Sequence, residues 1–199
     1  LSLLITDADA DTVRVTKDVD IMADIRSRKD FHDAERALER IGFAHDTRED
    51  APICRWIYNG ITVDVLPIRA EVLGWKSKWF SEALATATTV VRNGKSVKVV
   101  SAPYFVILKL EAFEDRGKRD FIGSTDFEDV ICLFNGRETI VDEIAADRAV
   151  SGLLAEKMKS YLSSPDIEYA VEGFVQTEDN PDKRMKLILE RFRKVAALS

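Results

Sequence analysis

Arg-Val-Thr-Lys-Asp-Val-Asp, residues Arg14 to Asp20, is the stretch on which the interpretation of the whole chain depends. A strand is predicted from Val13 to Ile21, because apolar and polar residues alternate and successive side chains of a strand point to opposite faces. The apolar face suits a core. The polar face carries Arg14, Thr16, Asp18 and Asp20. Two carboxylates at alternate positions lie about 7 Å apart at their Cα atoms, close enough to bind one hard cation or a pair of cations.

Such an acidic pair also has an ordinary structural explanation. Aspartate is depleted in strands and common in turns, so Asp18 and Asp20 by themselves are better explained as loop residues. A third carboxylate, Asp64, interrupts an apolar strand predicted from Ile61 to Leu66. Its structural alternative is a strand-edge residue near Pro67. If the two strands are neighbours, the three carboxylates form one wall, and oxygen-only ligation favours Mg²⁺.

The order of the predicted elements indicates an α+β fold, with a mixed β-sheet flanked by helices and a C-terminal helical region. A helix is predicted from Asp30 to Ile41, with Asp30 as its N-cap and Gly42 as its stop. Asn-Gly pairs suit type I′ turns, so hairpins are predicted around Asn59-Gly60 and Asn93-Gly94. Strand, helix and returning strand favour a mixed sheet.

Most of the remaining chain is predicted to be helical. Apolar periodicity predicts helices over residues 75–84, 104–113, 124–136, 138–146, 149–162 and 182–198. The first residues, Leu1 to Ile5, are apolar and fit the end of a helix. In the last helix the predicted inward stripe is Met185, Ile188, Leu189, Phe192 and Val195. Six basic residues are predicted on the other faces of this helix: Lys183, Arg184, Lys186, Arg191, Arg193 and Lys194.

Composition limits the classes of function. With 46% hydrophobic and 32% charged residues, the chain is an ordinary globular one. A net charge of −6 argues against an overall basic surface that coats nucleic acid, although local basic patches are compatible with it. Cys54 and Cys132 have neither metal-ligand spacing nor disulfide density, which favours a reducing cytoplasm. No apolar run reaches membrane-spanning length and no signal peptide is visible, so we expect a cytoplasmic protein without membrane contact.

Charged residues also interrupt the helical half. Lys109 lies in an otherwise apolar helix, which indicates an anion nearby or a side chain that extends to the surface. Asp126 and Asp129 lie one turn apart on the next helix, on the same face. Thr125 and Glu128 fit a capping box at the start of that helix.

Taken in order, these motifs resemble those of the AbiEii-type nucleotidyltransferases, which belong to the DNA polymerase β-like superfamily. The resemblance covers about residues 1–137 and rests on four segments. They are Arg14-Val-Thr-Lys-Asp18-Val-Asp20-Ile, Asp64-Val-Leu-Pro, Lys109-Leu-Glu-Ala-Phe-Glu-Asp-Arg116-Gly-Lys118-Arg119-Asp120 and Ser124-Thr-Asp126-Phe-Glu-Asp129-Val-Ile. It implies a nucleotidyltransferase core over residues 1–101. Residues 102–199 would form a helical region that completes the active site and ends in a bundle.

The resemblance implies transfer of a nucleoside monophosphate from an NTP to an acceptor hydroxyl. Two divalent metals, Mg²⁺ or Mn²⁺, would be held by Asp18, Asp20 and Asp64, with Asp64 holding the metal that activates the acceptor. Lys109 completes the catalytic set and would meet a phosphate. The implied nucleotide-binding residues are Arg14, Thr16, Lys109, Arg116, Lys118, Asp126 and Asp129.

The chain departs from the family pattern in two ways. The family carries a Gly-Gly or Gly-Ser pair that holds the triphosphate, and no such pair is visible; we expect one just upstream of Leu1 in the natural protein. In addition, Asp120 and Asp126 compete for the first acidic position of the second helix, and Asp126 with Asp129 is the preferred assignment.

The sequence leaves the acceptor open. RNA and protein are both candidate acceptors. A further hypothesis is that the protein is the toxin of a toxin–antitoxin pair, with an antitoxin as its partner. A small molecule such as an antibiotic is a third candidate acceptor. A hypothesis from a different class is a catalytically silent module that uses the basic last helix to hold RNA or a protein partner.

Overall fold

A computed structural model of the chain describes residues 1–10, 18–74 and 77–198. Within these ranges the fold is α+β, with a mixed four-stranded sheet, a two-stranded sheet and eight α-helices, most of them in the C-terminal half. The predicted fold class is therefore confirmed. Contacts between residues divide the chain into two compact units. The sheet unit is Arg14–Thr86, and the helical unit combines Leu1–Val13 with Ala87–Ser199.

The sheet unit is built on four strands in the order β1-β4-β3-β2, with β1 parallel to β4 and the other neighbours antiparallel. The parallel pair requires a crossover, which includes the first helix. In chain order the elements are β1 (Asp18–Ala23), α1 (Arg28–Arg40), β2 (Ala44–His45), β3 (Arg55–Tyr58), β4 (Ile61–Pro67), a 3-10 helix (Ala70–Leu73) and α2 (Phe80–Ala85).

The core of the sheet unit lies between one face of the sheet and α1. Its buried members are Ile25, Phe31, Trp56, Val63 and Val65. The first strand was predicted to begin at Val13, but residues 11–17 lie outside the described ranges. Trp75, at the start of the helix predicted over residues 75–84, lies outside them as well.

Helix α1 begins two residues earlier than predicted. Its N-cap is Ser27, whose hydroxyl accepts a hydrogen bond from the Asp30 amide at 3.1 Å, so the assignment of Asp30 as N-cap was wrong. Serine and aspartate both suit caps, and Asp30 instead lies in the first turn, where its charge favours the helix dipole. The predicted stop is confirmed, since Gly42 follows the helix with φ of 95°.

Both predicted hairpins are confirmed. Asn59 and Gly60 have φ of 49° and 80°, and Asn93 and Gly94 have φ of 51° and 74°. Positive φ at both central residues is the requirement of a type I′ turn, whose twist matches that of the flanking strands. The second hairpin is the two-stranded sheet of the helical unit, formed by β5 (Thr88–Arg92) and β6 (Lys95–Val99).

The helical unit continues with six helices. They are α3 (Ala102–Asp115), α4 (Thr125–Gly136), α5 (Ile140–Ala146), α6 (Ser151–Tyr161), α7 (Asp166–Val175) and α8 (Pro181–Ala196). Helix α7 was not predicted from the sequence, although Ile167, Ala170, Val171 and Val175 are buried and recur at helical spacing. The apolar stripe of α8 is confirmed for Ile188, Leu189, Phe192 and Val195, which are buried, whereas Met185 is half-buried. No helix in the described part of the chain is long and apolar enough to cross a bilayer.

The N-terminal residues pack within the helical unit as a turn, so the expected helix end at Leu1–Ile5 was wrong. The amides of Thr6 and Asp7 donate to the Gly136 carbonyl, at 2.8 and 2.9 Å. A Cβ at Gly136 would lie 2.8 Å from the Ile5 side chain. Glycine at the end of α4 therefore permits this close approach.

Candidate functional site

The three predicted metal ligands lie on one face of the sheet unit, which we call the carboxylate face (Asp18, Asp20 and Asp64). In the parallel pairing of β1 with β4, Asp20 is opposite Asp64 and Asp18 is opposite Thr62. Residues opposite each other in neighbouring strands point to the same side, about 4.8 Å apart. Asp18 and Asp20 are exposed, whereas Asp64 is buried. The strand order thus places the acidic pair of β1 directly beside the acidic residue of β4.

Arg55 is the residue at this face that sequence reasoning missed. It lies opposite Asp64 in the antiparallel pairing of β3 with β4. Its Nε and Nη2 atoms donate to the two carboxylate oxygens of Asp64, at 2.8 and 2.6 Å, and Nη2 lies 4.0 Å from Asp18 Oδ2. A signal existed in the sequence, because a two-residue turn fixes the hairpin register and counting back from Asn59-Gly60 pairs Arg55 with Asp64.

The pair changes the electrostatics of its surroundings. The hydrogen bonds to Asp64 raise the pKa of Arg55, so the guanidinium stays charged. Burial raises the pKa of the neighbouring Cys54 thiol to about 11, and the negative charge of Asp64 adds to this effect. Cys54 therefore remains protonated near neutral pH and is a poor nucleophile or metal ligand there.

The chemistry of the carboxylate face suits a hard cation. Three carboxylates lie at neighbouring positions of two paired strands, and oxygen donors are the ligands that Mg²⁺ prefers. Asp18 and Asp20 are the residues that would hold the ion, while Asp64 is bound by Arg55. Among residues 1–10, 18–74 and 77–198, no three His, Cys, Asp or Glu residues form a cluster with metal-ligand spacing. The donor atoms thus fit Mg²⁺ in kind, with Arg55 as a competitor for Asp64.

The helical unit holds a second set of predicted site residues, which we call the helix-pair cluster (Lys109 and Arg116 of the α3 segment, Asp126 and Asp129 of α4). Lys109 Nζ lies 3.3 Å from Asp126 Oδ1 and 2.6 Å from Asp129 Oδ2. Arg116 binds both oxygens of Asp126 at 2.8 Å. The anions that Lys109 meets in the structure are therefore the two aspartates one turn apart on α4.

Burial and charge act in opposite directions on Asp126. Burial tends to raise its pKa, but the hydrogen bonds from Arg116 and the charge of Lys109 outweigh that tendency, so the pKa of Asp126 lies below its ordinary value. Both aspartates of the cluster are buried, and the Arg116 side chain is 71% exposed. The Asp126 carboxylate is thus ionised, and the cluster contains one partly buried cation and one exposed cation.

The start of α4 differs from the prediction. The N-cap is Ser124, whose hydroxyl accepts from the Phe127 amide at 3.4 Å, so the Thr125–Glu128 capping box was wrong by one residue. Asp120 accepts hydrogen bonds from the amides of Ile122 and Gly123, at 3.1 and 2.9 Å. Asp120 therefore stabilises a turn, while Asp126 enters the helix-pair cluster.

The loop between α3 and α4 has an unusual backbone. Lys118 and Arg119 both have positive φ, of 48° and 59°, a conformation that costs energy for non-glycine residues. A Cβ at the preceding Gly117 would lie 2.6 Å from the Phe113 carbonyl oxygen. The loop is therefore held tightly, and it presents the predicted nucleotide ligand Lys118 as an exposed residue.

The predicted site residues thus fall into two sets. Asp18, Asp20 and Asp64 belong to the sheet unit, and the four members of the helix-pair cluster belong to the helical unit. Arg14 and Thr16, predicted as nucleotide ligands, lie outside the described residues.

Two of the basic residues of α8 form structural contacts within the helical unit. Arg184 is buried and its Nη1 lies 2.5 Å from Asp7 Oδ2. Arg191 donates to the backbone carbonyls of Phe134 and Asn135, at 2.5 and 3.0 Å. These arginines anchor α8 within the helical unit, so the basic surface of this helix is smaller than its sequence indicates.

No family model, curated protein or solved structure matches the chain. The resemblance to the AbiEii-type nucleotidyltransferases stays a prediction from the four motif segments. Any function is therefore argued from the residues and their geometry.

Proposed function

We propose that the protein is a metal-dependent nucleotidyltransferase that transfers a nucleoside monophosphate from an NTP to an acceptor hydroxyl. The observation that carries the proposal is the register of β1 with β4, which places Asp18, Asp20 and Asp64 on one face. Carboxylates at neighbouring positions of two paired strands are oxygen donors that one hard cation can bind together. A divalent metal and its bound triphosphate would provide a reason for this arrangement.

Each group then has a chemical role. Bound Mg²⁺ would neutralise charge on the triphosphate and lower the pKa of the acceptor hydroxyl. Asp18 and Asp20 would hold the metal. Asp64 positions Arg55 and would become a metal ligand if the cation displaced the guanidinium. Lys109 and Arg116 serve as phosphate-binding cations.

The geometry of the helix-pair cluster supports this role for the two cations. The ammonium of Lys109 is fixed between two buried carboxylates, which limits its motion. The guanidinium of Arg116 is fixed by Asp126 on one side and is mostly exposed on the other. Preorganised cations of this kind stabilise developing negative charge better than mobile ones.

The proposed acceptor is an RNA or protein hydroxyl, and the proposed setting is the cytoplasm, with an antitoxin as regulatory partner if the enzyme is a toxin. Cys54 and Cys132 are both buried and are not joined in a disulfide, as expected in a reducing compartment.

Transfer of a labelled nucleotide tests the proposal. Full-length protein is incubated with each labelled NTP, with Mg²⁺ or Mn²⁺, and with total RNA or cell lysate. We expect label in one fraction, and a decrease of about 100-fold or more for Asp20→Asn, because loss of a metal ligand removes several kcal/mol of charge stabilisation. Asp50→Asn, an exposed aspartate of the same unit, is the matched control. Equal transfer by wild type and Asp20→Asn would contradict the site assignment.

One observation favours a second candidate, a catalytically silent nucleotidyltransferase-like module that binds RNA or a protein partner. Arg55 occupies both oxygens of Asp64, so the third carboxylate is already neutralised. If this pair never opens, the face lacks a complete metal site. Absence of Mg²⁺-dependent NTP binding by the full-length protein, together with retained binding of RNA, would identify this candidate as correct.

A further inference from the structure

A groove of about 620 Å³ opens within the sheet unit, beyond the C-terminal ends of β1 and β4. Four cationic side chains line it. Two come from the start of α1 and the residues just before it, one comes from the segment after β4, and one comes from the segment before α2. They are Arg26, Arg28, Arg69 and Lys78, accompanied by Glu71 and Ser81. Neither the sequence motifs nor the proposed catalytic residues include any member of this set.

The groove is basic on a chain that is acidic overall. Its lining carries four positive charges against one negative charge, whereas the whole chain has a net charge of −6. Arg26 is paired with exposed Asp24, at 2.6 Å. The side chains of Arg28 and Arg69 form no ion pair with any carboxylate in the described part of the chain. Two exposed guanidinium groups are therefore available to a ligand on one concave surface.

We propose that this groove binds the phosphate backbone of a single-stranded segment of RNA. The guanidinium group matches the geometry of a phosphate, because its N–H groups donate to two oxygens at once. Cations from separate segments of the chain are arranged to contact successive phosphates rather than a single one. Single-stranded nucleic acid is bound by such positively charged grooves, which track the backbone.

The position of the groove favours a polynucleotide over the triphosphate of an NTP. Pro67 ends β4 three residues after Asp64, which places the groove about 10 Å or more along the strand from the carboxylate face. If a metal held a triphosphate at the carboxylate face, the cations of the groove would have no phosphate to bind. A strand that continues from an acceptor nucleotide carries a phosphate at every step and supplies that counter-charge.

The groove is expected to bind without sequence preference. Its neighbouring aromatic residue, Trp79, is buried, and Lys78 lies over its ring at 4.7 Å from the centroid. A buried ring does not offer its face to a nucleobase, so stacking contributes little and phosphate contacts dominate.

This inference deepens the proposed function by naming RNA as the acceptor class, and its test is independent of catalysis. A fluorescently labelled single-stranded RNA of about 12 nucleotides, a typical site length, is titrated with full-length protein in EDTA without NTP. Anisotropy gives Kd over a series of salt concentrations. The variant Arg28→Gln/Arg69→Gln is compared with Arg36→Gln/Arg40→Gln, which removes two exposed arginines of α1 outside the groove.

We expect the groove variant to bind RNA about tenfold more weakly than wild type, and its slope of log Kd against log salt to decrease by about 1.4, since each lost phosphate contact removes about 0.7. The control variant should retain most of the affinity and slope. Equal unfolding temperatures of the two variants establish that both are folded. Equal RNA binding by the two variants would overturn the proposal.

Two further titrations distinguish RNA from other candidate ligands of the groove. If the groove variant loses Mg²⁺–NTP binding and keeps RNA binding, the groove serves the triphosphate and the proposal is overturned. If polyglutamate binds as tightly as RNA and is weakened equally by the variant, the groove takes an acidic peptide and the proposal is again overturned. RNA binding that depends on the groove, in a protein that transfers no label, would contradict the enzyme proposal and support the groove.

Discussion

The carboxylate face and the helix-pair cluster use the same residue types at different depths. On the carboxylate face Arg55 binds Asp64, and the other two aspartates, Asp18 and Asp20, are exposed. In the helix-pair cluster both aspartates are buried, and Lys109 and Arg116 bind them. The acidic residues are thus mostly exposed in the first arrangement and buried in the second.

This difference in burial indicates different capacities. A buried cluster of ion pairs depends on each of its members, because removal of one cation deprives a carboxylate of that partner in a poorly solvated place. Exposed carboxylates contribute little to stability, since water screens their charges. We therefore expect substitutions in the helix-pair cluster to act mainly on folding, and substitutions on the carboxylate face to act mainly on cation and nucleotide binding.

The largest expected loss of stability comes from Lys109→Met. Met keeps most of the apolar stem and removes the charge that lies between Asp126 and Asp129, so we expect a loss of about 3 kcal/mol in the free energy of unfolding. Lys29→Met is the matched control, because Lys29 forms a 2.9 Å ion pair with Asp33 in an exposed position and its loss should change little. Urea unfolding measures both. A Lys109→Met variant as stable as the control would show that the cluster is not held together by the ion pairs of Lys109.

Arg55→Gln should have an intermediate effect. Its removal leaves the buried carboxylate of Asp64 without its two charged hydrogen bonds, at a cost of about 2 kcal/mol. The same change should tighten Mn²⁺ binding, measured by calorimetry, because the cation no longer competes with the guanidinium for Asp64. Arg36→Gln, which breaks an exposed pair with Asp33 in the same unit, is the control for both measurements. Unchanged or weaker Mn²⁺ binding by Arg55→Gln would exclude the competition.

The helix-pair cluster also predicts a pH dependence. A carboxyl whose folded pKa is lowered contributes stability above its unfolded pKa of about 3.9 and loses it as pH falls through the folded pKa. Asp126 is such a group, and Arg116 contributes to its lowered pKa, although exposure limits the effect to less than about 1 kcal/mol. Arg116→Gln should therefore lose less stability than wild type as pH falls below about 4.

Urea unfolding at a series of acidic pH values measures that difference. Glu114 also has a lowered pKa, since its hydrogen bonds from Lys157 and Tyr161 outweigh the opposing effect of burial. It contributes equally in both proteins, so the difference between them reports Asp126. Parallel acid profiles for wild type and Arg116→Gln would contradict the assignment.

The smallest expected effect on stability comes from Asp18→Asn/Asp20→Asn. These residues are exposed, so the free energy of unfolding should stay within about 0.5 kcal/mol of wild type, with a slight gain because repulsion between like charges is removed. A loss comparable to that of Lys109→Met, measured in the same urea assay, would mean that the carboxylate face is a structural element after all.

Local chemistry explains why much of the fold was predictable from sequence. Asn59-Gly60 and Asn93-Gly94 specify turns whose backbone few other residue pairs adopt, so both hairpins followed from four residues. The buried stripe of α8 followed from periodicity, because apolar residues on one helix face need a core. Helix boundaries were harder, since Ser27 and Asp30 both suit the start of α1 and the hydrogen bond to the serine decides between them.

The candidate site was predictable in composition and less so in its pairings. Asp18, Asp20 and Asp64 could be placed on one wall because strand alternation fixes which side chains share a face. Arg55 was missed because an arginine in a strand carries no signal of its own until the register of the hairpin is worked out. The groove was missed for a different reason: its cations come from segments distant in sequence, and the chain topology brings them together.

Calorimetric titration of the full-length protein with each NTP, in the presence and absence of Mg²⁺, tests most directly whether the carboxylate face is a metal and nucleotide site. We expect at least one NTP to bind only with Mg²⁺, and expect that binding to be lost in Asp18→Asn/Asp20→Asn but kept in Asp50→Asn. Mg²⁺-dependent binding that survives the double substitution, or no binding of any NTP, would contradict the proposed site.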